Sequence, residues 1–191
     1  MRIFLAAAAL AVSGCATPRT TADSDFFARL GSLCGRAFEG RIASPPVAAD
    51  ASFAGKRLVM HVRDCSANTI RIPFHVGDDR SRTWVLTRVG AGYRLKHDHR
   101  HQDGSEDAVT QYGGDTAMAG TATRQTFPAD PFTKALLVRN GNAAGVENVW
   151  AVEVDPGRQF SYELRRPGRF FRVEFDLGRP VALPPPPWGA R

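Results

Sequence analysis

The sequence has few lysines and lacks the short motifs that mark several common classes of enzyme. Lysine occurs only at Lys56, Lys96 and Lys134, so arginine carries most of the positive charge. No Cys-x-x-Cys pair is present, which argues against a redox or metal role for the cysteines. The glycine-rich stretches are not followed by Gly-Lys-Ser/Thr, and no Gly-x-Ser-x-Gly occurs. The sequence therefore lacks both a phosphate-binding loop and a hydrolase nucleophile elbow.

The positive net charge does not indicate nucleic-acid binding. The formal charge is +6, but the basic side chains are dispersed among acidic ones along the whole chain. Proteins that bind nucleic acid usually gather their Lys and Arg residues into a patch or a stripe. We therefore expect no nucleic-acid partner.

The first fifteen residues have the layout of a secretory signal. Arg2 comes first, an apolar run through Val12 follows, and small residues precede Cys15. The apolar run is too short to span a bilayer, which needs about 20 residues. The segment Val12-Ser13-Gly14-Cys15 resembles the lipobox of bacterial lipoproteins, a class in which the cysteine after the cleavage site is diacylated and becomes the new N-terminus. An ordinary secretory signal, in which Cys15 is incidental, is the alternative.

This resemblance implies a cell-envelope protein that acyl chains at Cys15 anchor to a membrane. Two or more acyl chains make such an attachment stable. Residues 1–14 are then the signal peptide, and residues 15–24, which are polar and include Pro18, form a lipidated tether. In the lipoproteins of Gram-negative bacteria, a residue other than Asp after the acylated cysteine usually permits export to the outer membrane, and Ala16 stands there. The expected location is the outer membrane, facing the periplasm.

Two further cysteines, Cys34 and Cys65, follow the proposed anchor. Compartments outside the cytoplasm oxidise thiols, so we expect a disulfide between the two. Closing a loop of this length stabilises the folded state by roughly 3 to 4 kcal/mol on the chain-entropy model. Two free, buried thiols are the alternative.

Residues 25–178 are expected to form one antiparallel β domain, because this length is typical of a single domain. Phe26, Phe27, Leu30 and Leu33 recur at helical spacing and predict one short amphipathic helix over residues 25–33. After that helix, most segments alternate apolar and polar residues, as half-buried strands do. Residues 179–191 form a proline-rich C-terminal tail that either covers the surface or stays loose.

The clearest strands lie near the C-terminus, where two Pro-Gly pairs predict type II turns at residues 155–158 and 166–169. Earlier strands are expected at 57–63, 70–76, 85–89, 93–102, 108–112 and 120–127, with turns at 90–92, 103–104 and 113–114. Pro73 cannot donate to a ladder and predicts an edge strand or a bulge. His61 and His75 fall on polar faces of their strands. Residues 130–148 fit either a short helix capped by Asp130 or one arm of a hairpin.

About nine short strands in a domain of this size predict a barrel or a sandwich. A short helix that leads into an up-and-down run of strands resembles the calycin group, the lipocalin-type barrels. The Gly-x-Trp that often opens the first strand of lipocalins is replaced here by Gly-Arg-Ala-Phe at residues 35–38. The resemblance implies an all-β fold, a single antiparallel up-and-down β-barrel with a short N-terminal helix. A β-sandwich is the alternative.

One predicted strand carries three histidines at alternate positions. His97, His99 and His101 share a face with Tyr93 and Leu95, while charged residues occupy the other face. A His-x-His pair on one strand can chelate a single zinc ion. A strand separates residues i and i+4 by about 13 Å, so all three histidines are not expected to meet at one ion. The other interpretations are histidines hydrogen-bonded at the barrel mouth or exposed to water.

The first functional hypothesis is a non-enzymatic module that binds a small, partly apolar ligand or a partner. A barrel of about eight strands has room for side chains or for one small ligand. No catalytic residue and no cofactor are assigned on this hypothesis. The alternatives are a metal-dependent enzyme with zinc at His97, His99 and His101, and an envelope assembly or structural lipoprotein that binds partners through its tail. The residues expected to line the ligand pocket are Phe74, Trp84, Tyr93, Phe171 and Phe175.

Overall fold

The computed structural model describes residues 22–190, with side chains from Phe26 onward, and joins all of the described strands in one antiparallel sheet. The proposed signal peptide, Cys15 and most of the proposed tether lie outside the described residues. The helices are α1 (Ala22–Gly31) and α2 (Pro131–Arg139), with short 3-10 helices at Ala48–Asp50 and Ala143–Glu147. The strands are β1 (Ala37–Ile42), β2 (Leu58–His61), β3 (Asp64–Cys65), β4 (Thr69–Val76), β5 (Asp79–Val89), β6 (Gly92–His99), β7 (Tyr112–Asp115), β8 (Arg124–Pro128), β9 (Val149–Asp155), β10 (Gln159–Arg166) and β11 (Arg169–Val181).

The strands follow one another around the sheet in chain order. That order is β7-β6-β5-β4-β2-β1-β11-β10-β9-β8, and β3 pairs with β4 beside it. The first strand, β1, pairs with the last, β11. Within residues 22–190 no strand ladder joins β7 to β8, but the Asp130 N–H donates to the Gly113 carbonyl there over 3.0 Å. The sheet is a nearly closed barrel, which confirms the predicted fold class and is compatible with a calycin-like fold.

Alternating side chains fill most of the barrel with an apolar core. Leu86 and Leu95 sit opposite each other on β5 and β6, and both are fully buried. The C-terminal meander predicted from the two Pro-Gly turns is present as β9, β10 and β11. On these strands Val152, Phe160 and Val173 are likewise fully buried. The apolar faces of these strands therefore point into the barrel, as the alternation predicts.

Helix α1 closes one end of the barrel. It begins three residues before the predicted start and ends at Gly31. Phe26 and Phe27 are buried, and their ring centroids lie 5.3 and 5.8 Å from that of Tyr93, next to the β5–β6 turn. The predicted disulfide is confirmed: Cys34 and Cys65 are bonded, which ties the segment after α1 to β3.

Residues 130–148 contain helix α2 (Pro131–Arg139) and the 3-10 helix Ala143–Glu147, and they do not form a hairpin arm. The Asp130 carboxylate accepts from the Thr133 N–H over 2.8 Å, and Pro131 occupies the first turn, where no intrahelical N–H is needed. The Thr133 hydroxyl donates to the Gly113 carbonyl over 2.8 Å and accepts from the Gly113 N–H over 2.7 Å. Helix α2 is therefore hydrogen-bonded to β7 beside the gap between β7 and β8.

The turn expected at Gly113-Gly114 is wrong, because both residues belong to β7. A Cβ on Gly113 would overlap the Leu95 carbonyl, and a Cβ on Gly114 would overlap the Pro128 carbonyl. Here glycine permits close approach of neighbouring backbone, and no turn is formed. The strands expected at 108–112 and 120–127 shift accordingly to β7 and β8, which begin at Tyr112 and Arg124.

Two further expectations concern β2 and β4. The prediction that His61 and His75 lie on polar, solvent-facing sides of their strands is wrong, because the two residues are only 8 % and 3 % exposed. Pro73 is not in an edge strand, because β4 has neighbours on both sides, but the β4–β5 register shifts between Phe74 and Val76. The bulge alternative is therefore the one observed.

The proline-rich tail lies against the outside of the barrel. The Arg80 guanidinium donates to the Pro186 carbonyl over 3.0 Å, and the backbone N–H of Trp188 donates to the Arg80 carbonyl over 3.1 Å. Strand β11 continues to Val181, which pairs with Ala37, so the first residues of the predicted tail belong to the sheet.

Candidate functional site

A cavity of about 390 Å³ opens at the end of the barrel opposite α1. On β5 and β6, α1 contacts Tyr93 near the hairpin turn, whereas the cavity reaches Trp84 and His97 nearer the other ends of the same strands. The walls combine aromatic, apolar and charged side chains. They are Phe53, Phe74, Arg82, Thr83, Trp84, His97, His99, Asp107, Val109, Tyr112, Leu137, Asn142, Asn148, Trp150, Tyr162, Leu164, Arg166, Arg169 and Phe171.

The floor of the cavity is a layer of stacked aromatic rings. The Trp84 ring lies 4.5 Å from that of Tyr162 and 4.8 Å from that of Phe74, with interplanar angles of 18° and 14°. Trp150 is 1 % exposed and packs 5.2 Å from the His97 ring. Strand alternation explains this layer. Side chains that point inward from paired positions of neighbouring strands lie next to each other at a similar depth in the barrel.

His97 is held between two tyrosines from different strands. Its Nδ1 lies 3.0 Å from the Tyr112 carbonyl oxygen, which can only accept, so Nδ1 carries a proton. Burial lowers the pKa of His97 to about 3, so the ring is neutral and Nε2 accepts. The Tyr162 hydroxyl, 2.7 Å away, therefore donates to Nε2. Both nitrogens of His97 are occupied by protein groups.

His99 lies nearer the mouth and has the second tyrosine as its partner. Its Nε2 is 3.1 Å from the Tyr112 hydroxyl oxygen. Burial, and after it the Arg82 charge, lower the pKa of His99 to about 4. Burial raises the pKa of both tyrosines. Neither the histidines nor the tyrosines carry a charge near neutral pH, so the charges of the site come from the rim.

Three arginines and one aspartate supply those charges. Arg82 pairs with Asp79, and Arg169 pairs with Asp50 through two contacts, one of them 3.1 Å long. Arg166 donates to the Asn148 side-chain oxygen over 3.0 Å. Among the described residues no carboxylate lies within 4.0 Å of the Arg166 guanidinium. Asp107 accepts from the Val109 N–H over 2.7 Å.

The connection between β1 and β2, residues 43–57, covers part of the mouth. Its half-buried Phe53 lies 5.1 Å from the Phe171 ring and 6.2 Å from the Phe74 ring, and the Arg82 guanidinium lies 5.6 Å from the Phe53 ring. The ion pair between Asp50 and Arg169 holds the same segment to β11. Sequence reasoning missed these residues because they belong to an irregular segment without periodicity.

The residues predicted for the pocket separate into two groups. Phe74, Trp84 and Phe171 line the cavity. Tyr93 instead packs against α1 at the other end, and Phe175 lies beneath the floor, 6.3 Å from the Trp84 ring. Both are buried, at 1 % exposure.

The three histidines predicted as zinc ligands do not converge. His97 and His99 line the cavity with tyrosines as partners, whereas His101 is exposed in the turn after β6. In the part of the chain that the structure describes, no group of three His, Cys, Asp or Glu side chains is arranged to hold a metal ion. The extended backbone of β6 explains why the three histidines are apart, because each alternate residue of a strand lies farther along its axis.

Comparisons of the chain with protein-family profiles, curated proteins and solved structures found no significant match. No described helix combines the length and the apolar character needed to cross a membrane.

Proposed function

We propose that this protein is a lipid-anchored envelope protein that binds a small, partly apolar ligand at the open end of its barrel. The observation that carries the proposal is the 390 Å³ cavity with an aromatic floor and a charged rim. Ligand sites commonly have volumes of about 300 to 1,000 Å³, apolar walls and a few polar groups that orient the ligand.

The chemistry of the site favours binding over metal-dependent catalysis. A zinc ligand must offer a free imidazole nitrogen, but both nitrogens of His97 are engaged, by Tyr112 and Tyr162. His99 shares its Nε2 with the Tyr112 hydroxyl. Displacing these tyrosines would leave buried hydroxyl groups without partners, which costs about 1 to 3 kcal/mol each.

A fluorescence titration tests the binding function. The chain carrying Cys15→Ser, purified without detergent, is titrated with N-phenylnaphthylamine, a neutral aromatic probe whose emission rises in apolar surroundings. Val109→Trp fills the cavity and should weaken probe binding about tenfold or more, since the lost burial of one ring is worth more than 1.4 kcal/mol. Val138→Trp is the matched control, because Val138 is 55 % exposed on α2 and does not line the cavity. Equal weakening by both changes, or no binding by the parent chain, would contradict the proposal.

The proposed lipid anchor has its own test. The Val12-Ser13-Gly14-Cys15 segment supports acylation at Cys15, and a disulfide in the folded domain fits an oxidising compartment. Mass spectrometry of the mature N-terminal peptide should find a diacylated Cys15, and Cys15→Ser should move the protein from the membrane fraction to the soluble fraction. An unmodified peptide that begins elsewhere would overturn the anchor and leave the cavity argument intact.

A further inference from the structure

We infer that the cavity selects a compact, ring-bearing monoacid and that Arg166 binds its acidic group. This inference rests on the proposed ligand-binding function and names the ligand class. Three properties of the cavity carry it: its limited depth, its stacked aromatic floor and the distribution of charge around its rim.

The depth of the cavity excludes a long extended chain. On β5 the lining runs from Arg82 to Trp84, and the next inward residue, Leu86, is fully buried in the core. On β10 the lining runs from Tyr162 to Arg166. At about 3.3 Å per residue these segments span roughly 7 to 13 Å. A ligand of one or two rings fits this depth, whereas an extended long-chain fatty acid would project into solvent.

The floor presents the edges of stacked rings to the ligand. The Trp84 ring stacks on those of Phe74 and Tyr162, so their faces are turned toward one another, and all three side chains are buried. Phe171 lies 6.4 Å from Tyr162 and 5.1 Å from Phe53. Aromatic rings gain about 0.5 to 1.5 kcal/mol per pair beyond their burial when they meet in offset-stacked or edge-to-face arrangements. A planar ligand gains from several such pairs at once, and a flexible chain does not.

Among the residues that the structure describes, one arginine of the rim has no carboxylate partner. Arg82 and Arg169 are neutralised by Asp79 and Asp50, neither of which lines the cavity. The Arg166 guanidinium donates one hydrogen bond to the Asn148 side-chain oxygen. Its other N–H groups can donate to a ligand. A guanidinium matches the two oxygens of a carboxylate or the oxygens of a phosphate.

Asp107 limits the ligand to one acidic group. Asp107 follows β6, and Arg166 ends β10, four strands away around the barrel in the direction of the β7–β8 gap. A second anionic group on the ligand would face the Asp107 carboxylate across the site, where like charges repel. The arrangement therefore favours an acid at the Arg166 side and an uncharged body toward the rest of the cavity.

A pair of probes tests the inference separately from the proposed function. Anilinonaphthalene sulfonate has nearly the same aromatic body as N-phenylnaphthylamine and adds one anionic group, here a stand-in for a carboxylate or phosphate. The Cys15→Ser chain should bind the anionic probe about tenfold more tightly than the neutral probe, the effect of one charge-assisted hydrogen bond. Arg166→Gln should remove that preference, so that the two probes bind with about equal affinity.

Arg165→Gln is the matched control, because the neighbouring Arg165 is exposed and its guanidinium lies over the outward Phe170 ring. It should preserve the preference for the anionic probe. Urea unfolding of Arg166→Gln with a midpoint close to that of the parent chain shows that the variant still folds. Equal affinity of the parent chain for the two probes would overturn the inference while the proposed function stands, and failure of both probes to bind would overturn the proposed function itself.

Competition by unlabelled compounds identifies the acid and checks the depth. Naphthoate and naphthyl phosphate present the two acidic groups on one body, and whichever displaces the anionic probe at lower concentration identifies the preferred group. Naphthol, which lacks the acid, should compete about tenfold less well than the better acid. Palmitate should compete more weakly than naphthoate, and stronger competition by palmitate would overturn the limit on ligand length.

Discussion

The phenol oxygen of Tyr162 lies 2.7 Å from Nε2 of His97, and this hydrogen bond joins β10 to β6, two strands that are not neighbours in the sheet. His97 is 2 % exposed and Tyr162 is 7 % exposed, so water does not readily replace either partner. The bond therefore fixes the floor of the cavity and sets the tautomer of the histidine.

Tyr162→Phe should lower the free energy of unfolding by about 1 to 3 kcal/mol, because it leaves a buried imidazole nitrogen without a donor. Urea denaturation at pH 7 measures the change. Tyr112→Phe is the comparison: its hydroxyl partner, His99, is only partly buried and can bind water instead, so a smaller loss is expected. A larger loss for Tyr112→Phe than for Tyr162→Phe would contradict this view of the floor.

Stability should fall as the pH drops from about 6.5 to 4, because burial keeps His75, His97 and His99 neutral in the folded protein. Burial lowers the pKa of His75 to about 4 and that of His97 to about 3, from 6.5 in the unfolded chain. Their stabilising effect is complete above pH 6.5 and is lost as the unfolded state takes up protons below it. At pH 5 the loss is roughly 1 to 2 kcal/mol per histidine.

Urea unfolding across this pH range gives the profile, and His75→Gln should make it shallower. The exposed His101 provides the control, since His101→Gln should leave the slope unchanged. An unaltered slope in His75→Gln would mean that another group controls the profile.

Glu163 on the outer face of β10 should stabilise the fold through its arginine partners. Its buried carboxylate accepts from Arg124 over 2.7 Å and from Arg165 over 3.1 Å, and it also contacts Arg172. Burial opposes ionisation, but these hydrogen bonds and charges lower the pKa of Glu163 to about 2 from 4.5. We expect Glu163→Gln to cost about 2 kcal/mol at pH 7, by equilibrium unfolding.

Because the folded pKa is the lower one, this stabilisation is present above pH 4.5 and disappears as the pH falls toward 2. The difference between Glu163→Gln and the parent chain should shrink over the same range. Glu147→Gln, an exposed carboxylate on the 3-10 helix after α2, should change stability little at any pH. A constant difference down to pH 2 would refute the ionic origin of the effect.

Gly114→Ala should disturb the seam between β7 and β8. The added methyl group would overlap the Pro128 carbonyl oxygen, a rigid backbone atom, so the two strands must separate. Overpacking of this kind costs about 1 to 3 kcal/mol. Thermal unfolding measures the loss, and Gly31→Ala is the control because its nearest heavy atom, the Ile70 Cδ1, lies 4.0 Å from the added carbon. Equal melting temperatures for the two variants would show that the seam is not tightly packed.

The Cys34–Cys65 disulfide should supply roughly 3 to 4 kcal/mol, because it closes a loop with a sequence separation of 31. The double change Cys34→Ala and Cys65→Ala should lower the melting temperature by the same amount as a reductant does in the parent chain. Adding reductant to the double variant should have no further effect. A parent chain whose melting temperature is insensitive to reductant would contradict the prediction.

The parts of the fold that follow local rules could be predicted. Pro-Gly turns and period-two alternation place β9, β10 and β11 correctly, because turn chemistry and strand burial both act over a few residues. Asp130 and Pro131 likewise carry the signal for the start of α2, although the same segment also fits a strand. The cysteine count predicts the disulfide once the compartment is assumed.

The rest depends on contacts between distant segments. Gly113 and Gly114 have the composition of a turn, yet the backbone of β6 on one side and of Pro128 on the other holds them extended. Asp50 and Arg169 meet across 119 positions of sequence, and no local pattern links them. The aromatic floor was found only in part, because alternation shows which residues point inward but not their depth along the barrel.

The pairing of β1 with β11 also decides when this protein can finish folding. Since a chain is synthesised from its N-terminus, the final ladder of the barrel cannot form until residues 169–181 have emerged. Until then the backbone N–H and C=O groups on one edge of β1 and one edge of β10 have no partners and are open to pairing with other chains. Among the described strands, the fold thus combines mostly local ladders with one ladder of very high sequence separation, and that late ladder should govern both the folding rate and the tendency to aggregate.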